Sequence, residues 1–309
     1  MGGHYLVQGA TRIALFARIS ASVVGLTVVA MGTSMPELAV SIDAHLHEST
    51  DLAFGNIVGS TIFNIGAILG ITAILIPVPV KRQTIRIEYP IMLAVAGLVL
   101  LLCRDLEVDR IEGGFLFLVL ILFMVSVVHL SKREMAADEA SSLERDVQRA
   151  AKFKGGKGRA WGVSIVMVVV GIAALVWGAE LVVDGAEAIA LAIGVDKRVI
   201  GLTVVAMGTS LPELATSAVA ALQGERDIAL ANVIGSNLFN LLCVLGITAL
   251  VLPVPLNPAA SLDNWVMLGF CVALFPLMIF GRRVSRLDGL LLVTGLCVYV
   301  TYLVMTRGA

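Results

Sequence analysis

Charge is scarce in this chain: Asp, Glu, Lys and Arg together supply 15% of 309 residues, while apolar types supply 58%. Soluble domains carry roughly 25% charged and 45–50% apolar residues, so this composition excludes a water-soluble globular protein. Cysteine is equally sparse. Cys103, Cys243, Cys271 and Cys297 sit in or at the ends of apolar stretches, without the close pairing a metal or redox motif needs, and read as core filler. The four histidines, His4, His45, His47 and His129, fall towards segment ends and read as interfacial or solvated. A net charge of -1 gives no reason to expect nucleic acid. The first residues lack a basic region followed by an apolar block, so no removable signal peptide is visible. No nucleophile is paired with a base beside the acids of the apolar segments, which argues against an enzyme and against a cofactor.

What the chain does contain is apolar runs long enough to cross a hydrocarbon core of about 30 Å, repeated along its length. It also repeats itself. GLTVVAMGTSMPELAVS from Gly25 returns as GLTVVAMGTSLPELATS from Gly201, with two differences in seventeen positions and a register of 176 residues. The register holds from Asn56, Gly59, Ser60, Phe63 and Asn64 to Asn232, Gly235, Ser236, Phe239 and Asn240. It continues through Pro77, Pro79, Arg110 and Gly113 to Pro253, Pro255, Arg286 and Gly289.

Five hydrophobic segments are expected per copy, near 2–20, 23–44, 52–76, 87–103 and 113–131, then 161–194, 199–222, 228–252, 264–281 and 287–305. An odd number of crossings forces the second copy to enter from the opposite side. The expected fold is therefore an all-α membrane protein of ten transmembrane helices in two inverted five-helix repeats, 1–131 and 161–309, joined by a cytoplasmic linker at 132–160. Trp177 aligns with Met1, so the apolar block 162–176 has no counterpart in the first copy. The expectation is a native start upstream, or else a truncated first helix.

Orientation follows from basic residues in short loops. Lys81, Arg82 and Arg86, the linker's Lys132, Arg133, Arg145, Arg149, Lys152, Lys154, Lys157 and Arg159, and Arg282, Arg283 and Arg286 share one face, assigned to the cytoplasm. The opposite loops hold Asp43, Glu48, Asp51, Asp105, Glu107 and Asp109, although Lys197 and Arg198 also fall there.

Two apolar spans each carry a carboxylate, Glu37 and Glu213. An acid at the centre of a membrane helix costs about 3 kcal/mol on insertion scales, and such residues serve ion or proton pathways. Each follows a break, Gly32-Thr33-Ser34-Met35-Pro36 and Gly208-Thr209-Ser210-Leu211-Pro212. The prolines lack an N–H, so the carbonyls of Gly32 and Gly208 lose their helical partners, which a bilayer tolerates where a hydrated cavity or a cation satisfies them. Asn56, Ser60 and Asn64, spaced four apart, form a polar stripe on one helix, as do Asn232, Ser236 and Asn240. Asn56 and Asn232 read equally as interhelical hydrogen-bonding residues; the four deeper ones read as ion-site residues. Carboxylate, hydroxyl, amide and carbonyl oxygens suit a hard cation such as calcium, and no thiolate or imidazole stands by for zinc or copper. Glu180, Asp184 and Glu187 on the sixth span read either as an ion entrance or as an interfacial stripe.

With these motifs the sequence resembles the sodium/calcium exchanger superfamily, prokaryotic type, whose two alpha-repeats carry the same GTS-x-PE and GS-x-x-FN patterns. The resemblance implies spans two, three, seven and eight around the site, with the long first and sixth spans sliding past to alternate access. It implies calcium between Glu37, Glu213 and the carbonyls of Thr33 and Thr209. It further implies sodium sites from Ala30, Thr33, Ser34, Ser60 and Glu37, and from Ala206, Thr209, Ser210, Ser236 and Glu213, with Asn64 and Asn240 lining the middle. Some exchangers place Asp at one of these last two positions; this chain has Asn at both. The 29-residue linker is too short for large regulatory calcium-binding domains. The implied function is calcium/sodium antiport, with calcium/proton antiport and a passive cation channel as alternatives. Its partners are calcium and sodium ions and the lipid bilayer, with no obligate protein partner, in a prokaryotic plasma (inner) membrane.

Overall fold

The computed structural model describes residues 2–47, 49–138, 156–192, 206–258 and 260–307. Arg145, Arg149, Lys152, Lys154, Lys197, Arg198 and the start of the expected seventh span lie outside them. The described chain is almost entirely helical: α1 Gly2–Ala17, α2 Ala21–Thr33, α3 Met35–Leu46, α4 Thr50–Leu75, α5 Thr84–Asp105 and α6 Arg110–Asp138 come first. Then follow α7 Gly156–Ala192, α8 Ala206–Thr209, α9 Leu211–Leu222, α10 Arg226–Val251, α11 Ala260–Arg282 and α12 Arg286–Arg307. Among the described residues, seven helices are long and apolar enough to cross a membrane, or eight if α2 and α3, bent by 40° at Ser34, form one span. Helix α1 has 16 residues against 37 in its packing partner α7.

The most apolar windows of α4 and α10 are 78% and 89% buried, against 11–33% for the other unbroken spans, so these two helices form the centre and the rest wrap them. The wrapping is reciprocal. A Cβ on Gly113 of α6 would lie 2.7 Å from the Gly246 carbonyl of α10, and one on Gly289 of α12 would lie 2.5 Å from the Gly70 carbonyl of α4. Backbones that close require glycine at the crossing, a packing mode favoured in membranes, where helices gain nothing from hydrophobic burial against lipid.

Two short antiparallel ribbons tie the halves at opposite ends. Val78–Pro79 (β1) pairs with Arg283–Val284 (β4), and Glu107–Val108 (β2) pairs with Val254–Pro255 (β3). Shifting β1 and β4 by the 176-residue register converts the first ribbon into the second with the halves exchanged. The ends are separated by α5, whose 22 residues span about 33 Å at 1.5 Å per residue. Lys81 and Asp227 form an ion pair of 2.7 Å at the β1/β4 end.

Three cysteines are buried as expected, but Cys297 is exposed on α12. The reading of His45 as interfacial or solvated is corrected: it is 2% exposed. Its Nε2 bonds the Leu252 carbonyl at 2.9 Å and its Nδ1 the Thr50 hydroxyl at 3.2 Å. The ring thus satisfies a carbonyl left free at the end of α10, a use that a position near a segment end does not reveal.

Candidate cation site

Ser34 and Ser210 leave helical geometry in the same way, with φ/ψ of -87°/9° and -89°/4°. Each break is followed by a proline early in the next helix and then by the acid, so Glu37 and Glu213 occupy the first turns of α3 and α9. A carboxylate there meets the positive end of the helix dipole and its free N–H groups. Both acids are fully buried.

The halves then exchange hydrogen bonds. Ser34 Oγ donates to Glu213 Oε1 at 2.9 Å, and Ser210 Oγ donates to Glu37 Oε1 at 3.1 Å. Asn56 Nδ2 donates to the Glu37 carbonyl (3.3 Å) and to Ser41 Oγ (3.0 Å); Asn232 Nδ2 does the same to the Glu213 carbonyl (3.5 Å) and Ser217 Oγ (3.0 Å). These two asparagines therefore lock the acid-bearing helices to α4 and α10. Asn56 alone has a further contact, accepting at Oδ1 from the Thr209 hydroxyl at 3.2 Å.

Among the described residues, the buried oxygens that face no protein hydrogen-bond partner include six on expected site residues, Glu37 Oε2, Ser60 Oγ, Asn64 Oδ1, Glu213 Oε2, Ser236 Oγ and Asn240 Oδ1, along with others such as Asn232 Oδ1 and the Thr72 and Thr248 hydroxyls. An unpaired buried polar atom costs roughly 1–3 kcal/mol, so open oxygens on both acids and on the repeat-related pairs Ser60/Ser236 and Asn64/Asn240 fit a place built for a ligand. Six such oxygens, two of them from carboxylates, fit calcium, which takes six to eight oxygens. The π-helical turns of α4 and α10 begin at Asn64 and Asn240, and such irregular turns recur at functional sites.

The remaining expected residues are less open. Thr33 is buried, and its hydroxyl turns back to the carbonyls of Val29 (3.2 Å) and Ala30 (3.3 Å). The Ala30 carbonyl also accepts from Ser34 N at 3.0 Å. Ala206 begins α8, and its side chain is outside the described residues. Glu180 and Asp184 are exposed on α7, and the side chain of Glu187 is outside the described residues. Helix α7 covers both breaks, because a Cβ on Gly32 would strike Ile172 and one on Gly208 would strike Val183.

Sequence reasoning did not single out Ser41, Ser217 or Asn237. The serines were legible as hydroxyls four residues after each acid in both copies. Asn237 was legible as a departure from the repeat, where the first copy has Thr61.

A sodium/calcium exchanger protein model matches residues 1–128 and 163–305. The chain is 38% identical to the putative antiporter CaxA of Alkalimonas amylolytica over 93% of this chain and 89% of that protein. It is 36% identical to the inner membrane protein YrbG of Escherichia coli over 91% and 86%. It also superposes on a solved structure of the sodium-calcium exchanger NCX_Mj with a TM-score of 0.82 at 29% identity, covering 99% of this chain and 93% of that one. These matches run through both halves and through the oxygen-lined centre. The chain is an integral multi-pass membrane protein and belongs to the sodium/calcium exchanger protein family.

Proposed function

We propose that this protein exchanges calcium for sodium across a membrane by alternating access, with Glu37 and Glu213 as the shared charge of the site. The observation that carries the reading is the pair of buried carboxylates joined across the halves by the reciprocal Ser34–Glu213 and Ser210–Glu37 bonds, each keeping one oxygen without a protein partner, as do the Ser60, Ser236, Asn64 and Asn240 side chains. Two ionised glutamates give -2, which one calcium or two monovalent cations cancel. A neutral loaded carrier crosses the barrier more easily than a charged empty one, because moving charge through lipid is costly. Obligatory exchange rather than leak follows.

Sodium rather than protons as the driving ion is supported by Ser60 and Ser236, whose unpartnered hydroxyls can coordinate a small cation. Asn at both 64 and 240 removes a titratable group that a proton-coupled site could use. Thr33 and Thr209 carbonyls, with Ala30, Ala206, Ser34 and Ser210, complete the shell in this reading. The architecture in it is ten spans, with α1 and the α8–α9 pair added to the eight above, as inverted repeats 1–131 and 161–309. The β1/β4 end, with Lys81, Arg82, Arg282 and Arg283, is cytoplasmic by the positive-inside rule. The likeness to YrbG supports a prokaryotic inner membrane.

Calcium uptake into proteoliposomes under separately imposed sodium, potassium and proton gradients tests this. Uptake driven by an outward sodium gradient is expected. Uptake driven by protons alone would replace sodium in the reading, and calcium flux without any counter-gradient requirement would make the protein a channel.

A further inference from the structure

The two repeat-related asparagines of the site, Asn64 and Asn240, are identical in sequence and unequal in structure. Asn64 Nδ2 donates to Asn237 Oδ1 at 3.0 Å, and Asn237 Nδ2 donates in turn to Met92 Sδ at 3.8 Å. Asn240 has no partner at either side-chain atom. All three members of the relay are buried, from the core of α4 through α10 to α5.

The chemistry of the last member sets the direction of the whole relay. A thioether sulfur accepts weakly and cannot donate. Asn237 must therefore turn its N–H2 to Met92 and its oxygen to Asn64. Asn64 must answer with its own N–H2, which leaves its Oδ1 as the unpartnered atom. Either amide could otherwise flip, since oxygen and nitrogen are nearly isosteric; a one-way acceptor at the end removes that freedom. In the other half the relay has no parts. Register 176 carries Asn237 to Thr61, whose hydroxyl bonds its own helix at the Ile57 carbonyl (3.0 Å), and carries Met92 to Leu268, which accepts nothing.

We propose that Asn237, oriented by Met92, is a positioning residue that fixes the side-chain oxygen of Asn64 as a permanent cation ligand, while Asn240 remains an amide free to turn. The inference rests on the reading of the buried oxygens as a cation site. Orientation matters because a cation is repelled by the N–H2 face that a flipped Asn64 would present. The ligand contributed by the first repeat is thus pre-organised, and the one from the second repeat must orient on binding.

Radiolabelled calcium/calcium exchange in proteoliposomes tests the relay without involving the counter-ion. Asn237→Thr and Met92→Leu, each installing the residue of the other repeat, should raise the half-saturating calcium concentration about three- to tenfold, the effect of one oriented hydrogen-bonding group. The maximal rate should stay within about twofold, and the double variant should be no worse than Asn237→Thr, because residues of one network are not additive. Asn237→Asp should retain wild-type or tighter half-saturation, since a carboxylate also only accepts from Asn64. Met92→Leu is a volume-conserving change and carries the test if Asn237→Thr fails to fold. Unchanged half-saturation in these variants, additive effects, or failure of Asn237→Asp to rescue would overturn the relay while leaving the cation site standing. A wild-type protein that moves no calcium would overturn both.

Discussion

The hydroxyl of Ser210 donates to Oε1 of Glu37 across 3.1 Å, joining residues 173 positions apart in different halves of the chain. The acid of one half is thereby oriented by the helix break of the other, and Ser34 returns the contact to Glu213 at 2.9 Å. One oxygen of each carboxylate is held by protein and the other is left for a ligand. A change at either break is therefore felt at the opposite acid.

The charge of the site gives the most direct test. Glu37→Gln and Glu213→Gln should each abolish calcium exchange while the protein remains inserted and monodisperse, because each removes half of the -2 that binds the divalent ion. Near-normal uptake by either variant in proteoliposomes would sink the paired-carboxylate site.

The serines should separate the two ions. Ser210→Ala combined with Ser236→Ala leaves both carboxylates in place, so calcium keeps its main attraction, while a small monovalent cation loses two of its hydroxyl ligands. Sodium-dependent calcium efflux should fall more than calcium/calcium exchange measured side by side. Equal losses would return proton coupling to parity.

Asn56 and Asn232 should differ in stability despite their matching positions. Removing Asn56 takes one hydrogen bond each from the Ser41 hydroxyl, the Thr209 hydroxyl and the Glu37 carbonyl, whereas Asn232 has no contact equivalent to the one with Thr209. Each buried hydrogen bond lost costs about 0.5–1.5 kcal/mol net. Asn56→Ala should therefore lower the thermal midpoint in detergent further than Asn232→Ala. The reverse order would show that the Thr209 contact contributes nothing.

At the crossing of α12 and α4, a methyl on Gly289 would meet the Gly70 carbonyl at 2.5 Å, and backbone on both sides cannot yield as a flexible side chain does. Gly289→Ala should cost about 1–3 kcal/mol, the usual range for overpacking, and reduce folded yield. Wild-type yield and thermal midpoint would mean the two helices separate there without penalty.

Much of this was legible before any coordinates. The 176-residue register, the proline after each GTS break and the acid after each proline follow from local rules: a missing N–H ends a helix, and an acid in an apolar span demands a partner. The four-residue spacing of Asn56, Ser60 and Asn64 likewise put them on one face. Reading Asn56 as site or as interhelical contact could not be decided that way, because spacing fixes a face but not which neighbour meets it.

The sequence by itself determined that the chain is a duplicated, helix-rich membrane protein with two buried acids, since repetition, hydropathy and helix-breaking are properties of neighbouring residues. Only the tertiary structure decided who holds whom: that Ser210 orients Glu37, that His45 caps α10, that α7 lies over both breaks, and that Asn64 is tied while Asn240 is not. Contacts between residues more than a hundred positions apart depend on how the two halves interlock about their shared register. A repeat that looks symmetric in sequence becomes asymmetric wherever one copy meets Asn237 and Met92 and the other meets Thr61 and Leu268.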